Sequence, residues 1–489
     1  MTLRKESRRV DLPSRTPLGG YLPSIAMLAL SAVLGVLLFV VPTKELVGLV
    51  AVLLMLSLMF AKVPVAFALG IPGLLGLMSL HGGIAFANAA SSVPFNSIAS
   101  WSLTVLPTFI LMGILLHASG VTNELYSSAR ILLAWMPGGL AVATNTAGAG
   151  FAAVSGSTIA TTHALARIAI PEMIRSGYSP RFAMTSVVSA GLPGQLIPPS
   201  TFLVIYAGIA SVPVGAQLLA GTLPGLGISV LFSATFVLFA IMRPKAAGSG
   251  SMSVAPRYRV PDYLLALGRV WPVPLLMIVV IGGMLSGTMT ATEAGAAGAL
   301  GALFICLWRQ RRNGPLRVVL RAAADTAMSV GSIFLLIIGA HMLSNLMSVS
   351  GIARVFTDWV TSAGLGPVEF MLMMALIYLI MGMFMDPLSM LLLTVPVVMP
   401  ILTALELSPL LYGVFAVFMA ELAILTPPVG ILSFILHRIV QNPAVSEGRR
   451  ISLGQVFISV LWIMPIALLA IVLLVCFPEV ATWLPTLAG

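Results

Sequence analysis

Charge is what this chain has least of. Only 8% of its 489 residues are Asp, Glu, Lys or Arg, where a soluble globular domain carries about 25%. That scarcity excludes a water-soluble globule. A hydrophobic share of 59% and a mean hydropathy of +1.08 leave an integral membrane protein with many spans. The two cysteines, Cys306 and Cys476, lie far apart inside apolar runs, which excludes a disulfide framework and a thiolate metal centre. Histidines are few and scattered, His117, His163 and His341 among them, so no imidazole metal site is read. Enzymatic chemistry needs a nucleophile and base in reach of each other, and no such constellation is legible. A proton-translocating subunit of a redox complex would need a chain of membrane Lys, Glu and His, which the spans lack.

Net charge is +10. In a soluble chain that balance points to nucleic acid; here the cations gather in short loops at 4–15, 243–269, 309–321 and 437–450. This is the positive-inside pattern, which fixes orientation and implies no nucleic-acid partner. The apolar run 21–41 is longer than the ~7–15 residues of a signal-peptide core, and no small-residue cleavage site follows, so a retained signal-anchor helix is expected. The N-terminus is then cytoplasmic and the C-terminus, by span count, periplasmic.

Allowing roughly 20 apolar residues per span, crossings fall at 21–41, 46–61, 63–80 and 100–118, with 119–133 a helix in the interface. Segment 137–173 begins and ends on the side marked by Arg175 and Arg181, so it is read as a re-entrant hairpin with its tip at Ser155-Gly156-Ser157. Such backbone is tolerated at membrane depth only where protein or a wet cavity surrounds it. A crossing at 182–209 is interrupted by Gly191, Pro193, Gly194, Pro198 and Pro199, and 214–242 returns. Residues 243–269 read as a linker, 270–287 and 289–307 as spans. The pattern then restarts with 325–347, an interfacial stretch to Gly364, a second hairpin 366–405 with its tip near Met385-Asp386-Pro387, a crossing 410–436 broken at Glu421 and Thr426-Pro427-Pro428, and a last span 453–476. The fold class expected is an all-α polytopic membrane protein of about 11 transmembrane helices plus two re-entrant hairpins. Its sections are 1–45 (basic start and extra helix), 46–99 (scaffold), 100–242 (first repeat), 243–323 (linker and scaffold) and 324–489 (second repeat).

The restart is a duplication. Pro171 pairs with Pro400, Ser179-Pro180 with Ser408-Pro409, and Pro198-Pro199 with Pro427-Pro428; 400 − 171, 408 − 179 and 427 − 198 all give 229. Five crossings, 182–209, 214–242, 270–287, 289–307 and 325–347, separate Pro180 from Pro409, an odd number, so the repeats are inverted and their hairpins enter from opposite faces. A proline pair breaking a span at the same place in both copies is a pointer to a transporter's midplane site.

The stretches GFAAVSGSTIATTHALARIAIPEM, RSGYSPRFAMTSVVSAGLPGQLIPPST, AGTLPG and AELAILTPPVG resemble the large membrane subunit of TRAP transporters, the tripartite ATP-independent periplasmic family, over about residues 46–476. The resemblance implies a bacterial inner-membrane, elevator-type, sodium-driven importer of an organic acid, with a small four-span membrane subunit and a periplasmic substrate-binding protein as partners. Sodium would be the coupling ion and no cofactor is implied. The helix at 21–41 departs from the family, whose members typically start near Leu46; one helix cannot replace a four-span partner. A stand-alone sodium/dicarboxylate symporter or antiporter of the same superfold is the competing reading.

Candidate site residues follow from the breaks. The tip Ser155, Gly156 and Ser157 offers hydroxyls and unwound carbonyls, the oxygen ligands a hard cation takes; small residues there also let helices pack closely. The proline pairs Pro198, Pro199 and Pro427, Pro428 remove backbone donors and free the carbonyls one turn earlier, those of Gly194 to Ile197 and of Ala423 to Thr426, with the Thr426 hydroxyl beside them. Asp386 and Glu421 are carboxylates at membrane depth, where an ionisable group is expensive and suggests function; each suits sodium, a proton or a helix cap. Asn145 has an amide for the first site. Arg167 suits either a substrate carboxylate or a snorkel to the cytoplasmic face, and Glu293 a cap.

Overall fold

The computed structural model describes residues 22–248, 258–312, 314–427 and 430–488, and these form helices joined by short turns. Contacts group the chain up to Val93 with Ile338–Ile352 in one unit, and Pro94–Ile337 with Ala353–Gly489 in a second.

In the first unit lie α1 (Leu22–Leu37), α2 (Lys44–Phe60) and most of α3 (Val65–Ile98), which kinks at Gly82. The Ser31 and Ser57 hydroxyls join α1 to α2 at 2.9 Å. Residues 338–352, assigned above to the 324–489 section, group with these helices. Glycines explain why: a methyl on Gly73 would stand 2.6 Å from the Met342 carbonyl carbon, and one on Gly339 2.3 Å from the Ala66 carbonyl oxygen. Close backbone approach through small residues is how helices pack where lipid removes the hydrophobic drive.

The second unit holds the hairpins and broken helices of both repeats. In the first are α4 (Val105–Ala118), α5 (Val121–Leu132), the hairpin arms α6 (Gly139–Ser155) and α7 (Thr158–Arg175), the halves α8 (Pro180–Ala190) and α9 (Thr201–Ala210) of the broken helix, and α10 (Val214–Met242). Between the repeats come α11 (Val260–Val270), α12 (Pro272–Leu285), α13 (Ala291–Arg309) and α14 (Pro315–Ser350). The second repeat has α15 (Ile352–Ser362), hairpin arms α16 (Pro367–Gly382) and α17 (Pro387–Ala404), broken halves α18 (Pro409–Ala423) and α19 (Ile431–Val440), the single turn α20 (Pro443–Ser446), α21 (Leu453–Cys476) and α22 (Glu479–Ala488).

The duplication is carried by local chemistry. Each Ser-Pro starts a helix, serine as N-cap and proline in the first turn: Ser179 Oγ accepts from Phe182 N at 3.3 Å, and Ser408 Oγ from Leu411 N at 3.5 Å. α7 and α17 begin and end 229 residues apart (387 − 158, 404 − 175). Packing is exchanged between the copies. α7 lies on α19 and α17 on α9, while α8 lies on α21 and α18 on α10.

Among the described residues six helices are long and apolar enough to cross a membrane, seven if α11 and α12, bent by 49°, count as one. The other apolar helices have 10–17 residues and span less than a ~30 Å hydrocarbon core at about 1.5 Å per residue. On α10 the exposed Leu226, Val230, Leu238 and Ile241 give lipid an apolar surface.

One sequence expectation is corrected. The stretch 243–269 is not all linker, because α11 forms where Asp262 Oδ2 accepts from Arg259 N at 2.8 Å, and it packs on α5. Residues 81–98, in the section read as scaffold, continue α3 to Ile98. The basic loop at 309 is also tied down: Arg309 pairs with Glu124 at 2.5 Å and donates to the Arg269 carbonyl at 3.0 Å.

Candidate functional site

At the first hairpin tip α6 ends on Ser155, and Gly156 turns the chain with φ at 63°, a left-handed value that suits glycine. A methyl on Gly156 would also stand 2.8 Å from the Thr201 hydroxyl at the start of α9. Ser157 then caps α7, its Oγ accepting from Ala160 N at 3.2 Å. Two further donors there, Ser157 N and Thr158 N, meet the Gln195 side-chain oxygen at 2.9 and 3.0 Å once its amide is turned to face them, the orientation the hydrogen-bond pattern selects.

Gln195 stands in the short 3-10 turn Pro193–Gln195 between α8 and α9 and is fully buried. Sequence reasoning passed over it, although an amide in the apolar run LPGQLIPP is itself a signal. Gln195→Leu leaves Thr158 N without an acceptor, at about 1–3 kcal/mol, and Ser157 N with only the Ser155 hydroxyl at 3.4 Å. We expect a lower melting temperature in detergent for Gln195→Leu, and near wild-type melting for Gln195→Glu, which keeps an acceptor; equal melting of Leu and wild type would refute the cap.

The tip and break of each copy are pressed together. A methyl on Gly194 would come 2.4 Å from the Ala149 carbonyl oxygen and 2.5 Å from Ala152 Cβ; one on Gly382 would come 2.0 Å from Ala423 Cβ. Under the 229-residue offset (423 − 194, 382 − 153) these are the same junction, with the glycine on the broken helix in the first copy and on the hairpin in the second.

The carbonyls behind the prolines are less free than the sequence suggested. Gly194 O accepts from Ile197 N at 3.3 Å, Gln195 O from the Ser200 hydroxyl, Ala423 O from Thr426 N at 3.0 Å, Ile424 O from Leu432 N at 3.4 Å and Thr426 O from Gly430 N at 3.0 Å. The carbonyls of Leu196, Ile197 and Leu425 accept no hydrogen bond among the described residues. Leu196 and Leu425 are repeat mates (425 − 196 is 229). Pro198 and Pro199 stand just before α9, Pro427 follows Thr426, and Pro428 lies outside the described residues.

Asp386 caps α17: its Oδ2 accepts from Ser389 N at 3.1 Å and its Oδ1 from the Ser389 hydroxyl. It is the repeat mate of Ser157 (386 − 157 is 229). Glu421 lies inside α18 rather than in the break, 1% exposed, with no hydrogen-bond partner for Oε2 among the described residues. Its carboxylate stands beside the Thr158 hydroxyl of the first tip. That hydroxyl also reaches the Gly191 carbonyl at 3.4 Å, and its one proton serves one acceptor at a time. The Thr426 Oγ1 is likewise buried and unpartnered. Asn145 is not brought to the tip: its Nδ2 donates to the Ser229 carbonyl and Ser233 hydroxyl of α10, both at 2.9 Å.

The tip opens on a cavity of about 1170 Å³ lined by Ser155 and Ser157 together with His163, Arg167, Asp325 and Arg438. No three of His, Cys, Asp or Glu gather to hold a metal among the described residues. What the junctions offer is neutral oxygen with one buried carboxylate, a donor set for a hard, weakly charged cation.

Comparison with known proteins places this architecture. Residues 52–480 match the family described as tripartite ATP-independent periplasmic transporter, DctM component. A C4-dicarboxylate TRAP transporter large permease protein of Vibrio cholerae is 30% identical over 457 residues, covering 89% of this chain and 96% of that one. An ectoine TRAP transporter large permease protein of Halomonas elongata is 28% identical over 441 residues, covering 89% and 98%. The crystal structure of the YdaH transporter of Alcanivorax borkumensis superposes with a TM-score of 0.61 at 16% identity over 89% of this chain and 98% of that chain, a likeness of fold.

Proposed function

This chain belongs to the DctM-component family of tripartite ATP-independent periplasmic transporters, and from that premise we propose that it imports a carboxylate by sodium symport. It is a multi-span transport permease component, as its relatives are named. In the proposed cycle a periplasmic substrate-binding protein delivers the substrate, and a small four-span membrane subunit works beside this chain in the inner membrane, with the N-terminus cytoplasmic. The observation that carries the reading is the pair of orphaned buried oxygens in the second broken helix, Glu421 Oε2 inside α18 and Thr426 Oγ1 in the break. A buried unpaired carboxylate costs several kcal/mol, and a bound cation offsets that cost.

One sodium site is assigned to the first tip, with Ser155, Ser157 and the carbonyls of Leu196 and Ile197; another to the second junction, with Asp386, Thr426 and the carbonyl of Leu425. Glu421, beside Thr158, links the two. Filling both sites neutralises the tips and lets the hairpins and broken helices carry substrate as one elevator body. Relatives named for C4-dicarboxylates and for ectoine stand at nearly equal identity, so the proposal stops at the class of carboxylate-bearing solutes.

The test is uptake of labelled carboxylates into proteoliposomes holding the permease, its small subunit and the binding protein. We expect uptake on an inward sodium gradient and none on a proton gradient in sodium-free buffer. Proton-driven uptake without sodium would overturn the coupling. Uptake without the binding protein would instead mark a stand-alone sodium–carboxylate symporter.

A further inference from the structure

The cavity below the first tip has chemistry at its far end. Ser157, Ala160, His163, Ala164 and Arg167 follow one another at steps of one or three residues, one face of α7, and all line the cavity. At about 1.5 Å per residue Arg167 lies roughly 15 Å along the axis from Ser157. Arg438 and Asn442 line the same cavity from α19 and the turn after it. Both arginines are exposed there, and neither has an ion-pair partner among the described residues, where Arg130, Arg175 and Arg309 do. Asp325 also lines the cavity and pairs with neither. Two unpaired guanidiniums in a concave surface concentrate anions, and the guanidinium fork matches a carboxylate's two oxygens.

We infer that Arg167 and Arg438 form a second carboxylate-binding subsite, about 15 Å along α7 from the hairpin tip, where an anionic solute is held on its way between the tip and the cavity mouth. The inference rests on the reading of the chain as a carboxylate carrier, and it assigns that carrier a station separate from the sodium-bearing junctions. Snorkelling toward lipid phosphate is the other use two such arginines have, and the experiment separates the two.

Ala164, on the cavity wall one turn from Arg167, is changed to cysteine in the full chain, with the exposed Cys476 changed to serine. The protein is held with its small subunit in nanodiscs of neutral phosphatidylcholine. Labelling rates are compared for methanethiosulfonates bearing a sulfonate and a trimethylammonium. The sulfonate reagent should react faster, and Arg167→Gln with Arg438→Gln should lower the rate ratio about 10-fold or more. Arg167→Lys with Arg438→Lys should keep it, which controls for folding. Millimolar succinate should slow the sulfonate reagent in the parent protein and not in the double glutamine variant. A ratio indifferent to the glutamines overturns the subsite. Protection by phosphatidylglycerol nanodiscs with none by succinate overturns it in favour of a headgroup contact. Labelling needs no ion gradient, so a failure of sodium coupling leaves these outcomes readable.

Discussion

With Glu421 replaced by glutamine, the sodium concentration that half-saturates transport should rise roughly 10- to 150-fold. Glutamine keeps the shape and one oxygen but removes the charge. Contacts to a charged partner contribute about 1.5–3 kcal/mol, and every 1.4 kcal/mol is tenfold in binding. Glu421 is 1% exposed, has no salt-bridge partner among the described residues and stands beside Thr158 at the first tip, so no neighbouring charge substitutes for the one removed. Thr426→Ala deletes a neutral oxygen instead, and its effect should be smaller, about 2- to 12-fold for a contact of ~0.5–1.5 kcal/mol. The measurement is initial uptake against sodium at fixed pH, with protein amount and binding-protein docking checked alongside. Glu421→Gln with wild-type sodium dependence would remove the carboxylate from the coupling site. If that variant lost a pH dependence of the parent while keeping its sodium dependence, the group would be a proton carrier.

Much of the architecture was legible because it rests on local rules. Ser-Pro caps, proline pairs and a polar Ser-Gly-Ser inside an apolar run act within a few residues, so the hairpin tip at 155–157 and the break before Thr201 could be placed from sequence. α11 was lost because its charges, Arg259, Asp262 and Arg269, read as loop composition, whereas Asp262 caps an amphipathic helix and Arg269 stands in its last turn. At the site, the residue types were legible and the partnerships were not. Nothing in sequence spacing tells that Asn145 is held by Ser229 and Ser233, or that Glu421 of one copy faces Thr158 of the other. The first contact is made within one copy, α6 on α10, and the second between copies whose helices are exchanged; both are long-range facts. Carbonyl availability failed for a similar reason. A proline frees the acceptor of its own missing donor, but at Gly194, Ala423 and Ile424 a residue further along folds back to claim it.

The second large effect is expected at Gly382. Alanine there would place a methyl 2.0 Å from Ala423 Cβ and 2.7 Å from its Cα, inside any real contact. Overpacking of a close-packed core costs typically 1–3 kcal/mol, and with backbone among the clashing atoms Gly382→Ala should stand at or above the top of that range. It should melt well below wild type in detergent and transport little. The repeat suggests a cure, since the matching junction of the first copy carries its glycine on the broken helix, at Gly194. Ala423→Gly removes the nearer clashing atom, and the double variant should recover part of the lost melting temperature, the residual deficit coming from the 2.7 Å contact and from glycine's cost of about 0.5–1 kcal/mol in a helix. The first copy supplies the contrast. Ala152→Gly should do little for Gly194→Ala, because that methyl also meets the Ala149 carbonyl oxygen at 2.4 Å, which no side-chain change moves. Melting curves of the four single and two double variants decide the matter. Strictly additive losses at 382 and 423 would mean that tip and break do not touch there, and the proposed second cation site would lose the junction it rests on.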